Sequence, residues 1–147
     1  MKTTKRILAL LLVLAAMTSA LSACGGSGDA LSKEDYEAAV TKLGEELTSV
    51  QTDAATLDPS DVDGAKKVLD DMKKPFSDFI DLVPPKDYED AHEKMKSGCT
   101  AMIEYIDTVS GLLEETDETK LAEGAEKMQT ALMTAMTDLS EAATMMQ

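Results

Sequence analysis

From Ser32 onward, apolar residues recur in alternating steps of three and four, over four successive segments separated by very short breaks. The first segment, about Ser32 to Leu57, carries Tyr36, Val40, Leu43, Leu47, Val50, Ala54 and Leu57 in that spacing. The second, about Asp61 to Leu82, carries Val62, Ala65, Leu69, Met72, Phe76, Phe79 and then Val83. The third, about Lys86 to Glu115, carries Tyr88, His92, Met95, Cys99, Met102, Ile106, Val109 and Leu113. The fourth starts at Thr116 or Asp117 and runs nearly to Gln147, with Leu121, Ala125, Met128, Leu132, Ala135, Leu139, Ala142 and Met146. A repeat near 3.5 residues is a helical seam, and no useful stretch alternates with period two. Short connections force neighbouring helices antiparallel. The expected fold is all-α, an up-down-up-down four-helix bundle. Helices of ~22–30 residues make a rod of roughly 33–45 Å.

The punctuation agrees. Ser32 and Asp35, like Ser60 and Asp63, read as variant capping boxes. Asp58-Pro59 ends the first segment, and Pro84-Pro85 is the hinge into the third. Pro75 lies inside the second segment and cannot donate to the Asp71 carbonyl, so a kink or a break is expected there. With no Trp and only two Phe, the core must be Leu, Val, Ile, Met and Ala. Gly44, Gly98, Gly111 and Gly124 fall inside helices at about 1 kcal/mol apiece relative to Ala. Close helix approach or local flexibility accounts for them.

The first 23 residues have a different design. Lys2, Lys5 and Arg6 precede the apolar run Ile7 to Ala16, and small residues follow. That is the layout of an export signal. The run is too short for a bilayer span, which needs about 20 apolar residues. Leu21-Ser22-Ala23-Cys24 resembles the lipobox of bacterial lipoproteins. The resemblance implies acylation of the Cys24 thiol and cleavage just before it. Residues 1–23 are then a removed signal peptide, 24–30 the lipidated Cys and a Gly/Ser tether, and 31–147 the helical-bundle domain. The implied address is the bacterial cell membrane, on its extracytoplasmic side. The tether should place the Pro84-Pro85 hinge and the C-terminus nearest the lipid.

Charge narrows the partners. The signal holds three of the 14 Lys and Arg and none of the 28 Asp and Glu. The mature chain therefore carries 11 cations against 28 anions, a net −17 without Arg. Nucleic acid is excluded as a partner, because phosphate binding rests on cationic contacts. Anionic headgroups should repel the body, which leaves anchoring to the lipid on Cys24. Any electrostatically steered partner should be cationic. With Cys24 acylated, Cys99 has no intramolecular disulfide partner.

Few residues invite chemistry. His92, the only His, shares a seam with Met95, Cys99 and Met102, and soft ligands of this kind suit copper(I). Yet His92 and Cys99 are two turns apart, about 10 Å along the axis. A hydrogen-bonded core His and a buried inert thiol account for both. Met133-x-x-Met136 and Met145-Met146 also suggest copper, although Met is more often core filler. Asp58 to Gly64 looks faintly like a calcium loop, but Pro59 stands at its first position and Asp70 at its twelfth. Helix capping explains those acids. The pairs Glu45-Glu46, Asp70-Asp71 and Glu114-Glu115 lack a nearby base or nucleophile, as a solvated face would. No nucleophile elbow, phosphate loop or zinc motif occurs, so no enzyme and no cofactor is expected.

Pro84-Pro85-x-x-Tyr88-x-x-Ala91-His92-x-x-Met95 resembles a pattern in small uncharacterised helical lipoproteins, mainly of Gram-positive bacteria. The resemblance brings no activity with it. The expected function is a membrane-anchored binding or structural interaction module, with an unidentified protein or small-ligand partner. The alternative is a small-ligand or metal carrier using the face of His92, Met95 and Cys99.

Overall fold

The computed structural model describes residues 30–56, 58 and 60–147. The expected signal peptide, Cys24 and the tether up to Asp29 lie outside them, as do Leu57 and Pro59. Among the described residues there are four α-helices and no strand: α1 Lys33–Ala55, α2 Val62–Ile80, α3 Glu89–Leu112 and α4 Glu118–Met145. A 3-10 turn, Lys86–Tyr88, leads from the hinge into α3.

The caps explain where the helices begin. Ser32 Oγ accepts from the Asp35 backbone N–H at 3.1 Å and donates to the Asp35 carboxylate at 2.8 Å. Asp117 accepts from the N–H groups of Thr119 and Lys120 at the start of α4. At α2 the cap is Asp61, not Ser60. Asp61 accepts from the Gly64 N–H at 2.8 Å, while the Ser60 hydroxyl donates back to Asp58 at 2.7 Å. An acid one residue nearer the helix satisfies the orphan N–H better, and Ser60 closes the turn before it.

Helix α2 runs unbroken through Pro75, so the break does not occur. An interior Pro costs ~3 kcal/mol. Here the ring itself is buried, and the turn after it inserts Phe76 and Phe79 into the core. Each such ring contributes ~1.5–3 kcal/mol by burial, which offsets the missing bond.

Neighbours in sequence are neighbours in space: α1 packs on α2, α2 on α3 and α3 on α4. Their directions alternate. Leu31 N–H donates to the Val83 carbonyl at 2.9 Å, tying the start of the body to the hinge. Asp138, late in α4, meets Lys94 and Ser97, early in α3. At the far end Lys66 pairs with Glu114. The tightest pairing is α3 with α4. A Cβ at Gly98 would lie 2.7 Å from Leu139 Cγ, and one at Gly124 2.5 Å from Leu112 Cδ1. Those two glycines let the backbones approach, whereas Gly44 and Gly111 face open space. Helices α1 and α4, the pair that closes a four-helix bundle, make no comparable contact.

Burial tests the four seams. All eight seam residues of the third segment, Tyr88 to Leu113, are buried. The first seam is buried at Tyr36 and Leu43 and only partly at Val40, Leu47 and Val50. Val83, expected on the second seam, is exposed at the hinge. In the fourth segment the buried row is Gly124, Ala131, Ala135 and Ala142. Ala125 is exposed, and Leu121, Met128, Leu132, Leu139 and Met146 are only partly buried. The smallest side chains of α4 face α3, because only they permit so close an approach.

Candidate functional site

Two places stand out, a ring cluster at the hinge end and an exposed face along α4. The cluster gathers Tyr36 from the first turn of α1, Phe79 from the last turn of α2, Tyr88 from the 3-10 turn and His92 from α3. Tyr36 lies 5.6–5.7 Å, centroid to centroid, from each of the other three rings. Its hydroxyl is 2.9 Å from His92 Nδ1. Beside it, the Tyr88 hydroxyl donates to Glu37 Oε1 at 2.7 Å. Lys33 stands 5.1 Å over the Tyr88 ring and 2.9 Å from Asp87.

Burial pushes the His92 pKa below the ordinary histidine value, and the Lys96 charge adds to this. Glu93 and backbone hydrogen bonds at Ile80 and Leu82 oppose the shift without reversing it. The ring is therefore neutral at pH 7. Backbone carbonyls only accept, so the ring N–H turns to them and Nδ1 accepts from the Tyr36 hydroxyl. Burial also raises the Tyr36 pKa, which keeps the phenol a donor. The buried polar atoms of the cluster are all hydrogen-bonded.

The residues considered for metal lie beside it. His92, Met95 and Cys99 share one buried face of α3. Burial pushes the Cys99 thiol up to about 12, so it stays protonated, whereas ligands and nucleophiles are thiolates. Among the described residues, no group of three or more His, Cys, Asp or Glu is placed to hold a metal ion. The acids of the calcium-like stretch are engaged in turns: Asp58 accepts from Ser60 N–H and hydroxyl, and Asp61 caps α2. Asp70 and Asp71 pair with Lys73 and Lys67, and Glu114 with Lys66. Glu115 accepts from the N–H groups of Thr116 and Asp117.

Two features escaped the sequence reading. One is the tie of Tyr36 to His92 in α3 and of Glu37 to Tyr88 in the 3-10 turn before it. The other is Asp138, which accepts from the Ser97 hydroxyl at 2.6 Å and pairs with Lys94 at 3.2 Å. Those partners, Ser97 first, hold its carboxyl below the usual range. Its only sequence signal was its place one residue before a seam Leu.

A groove of about 700 Å³ runs between α3 and α4, lined by Glu104, Asp107, Glu123, Glu126, Lys127 and Thr130 among others. No His or Cys lines it. The opposite feature is apolar. Met133 and Met136, 62% and 55% exposed, stand out from α4, and Met145 is also exposed near its end. Of the two methionine pairs, the first is wholly outside the core and the second half inside it. No helix among the described residues is long and apolar enough to cross a membrane.

The family described as a family of unknown function (DUF6376) matches the chain over residues 31–147. No curated protein and no solved structure matches it.

Proposed function

The chain belongs to that family, and from this premise we propose that it is a membrane-anchored lipoprotein of the bacterial cell envelope, its helical body a binding or structural interaction module. Acylated Cys24 holds it to the extracytoplasmic face, and the body performs no catalysis. The observation that carries the reading is the face of α4. Solvent meets two large thioether side chains there, on a 28-residue helix packed closely through its small residues. A single exposed apolar residue means little, but paired large ones on one stripe suit a partner. The lipobox pattern and the tie of Leu31 to Val83 support the orientation, with the hinge end toward the lipid. From Cys24 to Leu31 an extended chain reaches roughly 25 Å, which keeps that end close to the bilayer.

The test has two arms in the native host. Cells fed an alkynyl fatty acid should label the wild type and not Cys24→Ala. A photo-crosslinking residue at position 133 should give a discrete adduct on intact cells, and one at Ser77 should not. Absence of labelling removes the anchor. Native mass spectrometry of the mature protein provides the counter-test: extra mass lost on denaturation would replace this reading with that of a carrier.

A further inference from the structure

We infer that the outward face of α4 docks a cationic amphipathic helix of a partner protein. The inference rests on the interaction-module reading and names its partner class. Ala122, Ala125, Gln129, Met133, Met136, Ser140 and Ala143 are all exposed. Their spacing is three, four, four, three, four and three, so they form one stripe along the helix. This stripe is distinct from the Gly124, Ala131, Ala135 and Ala142 row that faces α3. Helix α4 thus carries two seams, and one has no partner among the described residues. The open seam spans 22 residues, roughly 33 Å, which is the footprint of a six-turn helix. Small residues at its ends permit close approach. Methionines at its middle repack around varied side chains, as on other adaptable helix-binding surfaces.

Charge selects the occupant. The mature chain has 11 Lys against 28 acids. Nine of those lysines are already drawn into ion pairs within the body: Lys33, Lys42, Lys66, Lys67, Lys73, Lys74, Lys94, Lys96 and Lys120. The surplus is uncompensated carboxylate, with Glu118 continuing the stripe one turn before Ala122 and Glu126 beside it on α4 itself. A second copy would bring another net −17 to the same interface, and like charges oppose that pairing. A helix with Lys or Arg on both sides of an apolar stripe meets both the seam and the field.

The probe is a 22-residue peptide with Leu at the a and d positions of a heptad, Lys elsewhere and one Trp. The protein has no Trp, so the probe's fluorescence is unmixed. The mature lipoprotein in phosphatidylcholine nanodiscs is titrated, with empty nanodiscs as reference. Methionine methyl NMR reports the site. The Met133 and Met136 methyl signals should move, while those of Met72, Met95 and Met102 stay. Met133→Ser with Met136→Ser, which removes the apolar contact without changing the charge, should weaken binding roughly tenfold or more at an unchanged melting temperature. Thr134→Glu, on the opposite side of α4, should have a much smaller effect, and salt should weaken binding throughout. Equal binding of a Leu/Glu peptide, binding unaffected by the methionine variants, or a concentration-dependent dimer lost in those variants would each overturn the proposal. A discrete cross-link from another surface would overturn it too while leaving the interaction module standing. A bound metal or ligand would remove the module itself.

Discussion

Helices α3 and α4 are of similar length and pack on each other along their whole lengths, yet they are built by opposite rules. Helix α3 is the core helix. Its seam of His92, Met95, Cys99, Met102, Ile106 and Val109 is buried throughout. Helix α4 buries Gly and Ala and leaves its larger side chains half or wholly exposed. Apolar periodicity alone therefore does not locate a core. A row of small residues gives closeness and little transfer energy, and a row of large ones gives energy only where a neighbour covers it.

The largest effect should come from pairing two substitutions of similar size. Ile106→Ala should cost about 2–5 kcal/mol in urea unfolding, because Ile106 is fully buried. Leu132→Ala, half-buried on α4, should cost clearly less. Equal losses would mean that α4 is covered as fully as α3. The next effect is at the close approach. Gly98→Ala should destabilise by about 1–3 kcal/mol as its methyl meets Leu139. Gly111→Ala, in open space, should instead stabilise by up to about 1 kcal/mol.

Tyr36→Phe removes the donor to His92 Nδ1 and should cost about 1–3 kcal/mol. His92 also sets a pH window. Its folded pKa is lowered, so the unfolded chain takes up a proton first. Stability is fully present above about 6.5 and is lost as pH falls through the folded value. His92→Phe should flatten that slope. Asp138 acts in the carboxylate range with the same sign, its share lost only as pH falls below about 4. Asp138→Asn should cost about 1 kcal/mol and remove that lower step. The smallest effect belongs to Met133→Ser, within about 0.5 kcal/mol. A larger loss there would show that the exposed face contributes to folding.

The bundle was legible because four heptad seams and short breaks leave few alternatives. The third seam was read at every position. The fourth was read one residue off at Ala125 and Leu132, where Gly124 and Ala131 are the buried neighbours. Two apolar rows lie side by side on α4, and periodicity does not say which is chosen. The choice follows from how near α3 can come, which is a tertiary fact. The same applies at the hinge end. Tyr36 and His92 were each placed on a seam, but their hydrogen bond joins residues 56 positions apart. Soft-ligand composition marks His92, Met95 and Cys99 as metal candidates, but composition does not reveal that all three are buried on one face of α3.

The ties at the hinge end have a mechanical meaning. Any pull on the chain ahead of Leu31 enters through the first turn of α1. Just before that turn Leu31 bonds Val83, and within it and the next residue Lys33 pairs with Asp87, Tyr36 meets His92 and Glu37 accepts from Tyr88. Four ties over seven residues fasten the leading edge of α1 to the segment that begins α3. Tension therefore passes directly to the helix with the most buried seam, as load passes through a rivet into a spar. The less buried far end of α1 and the exposed face of α4 lie outside that path.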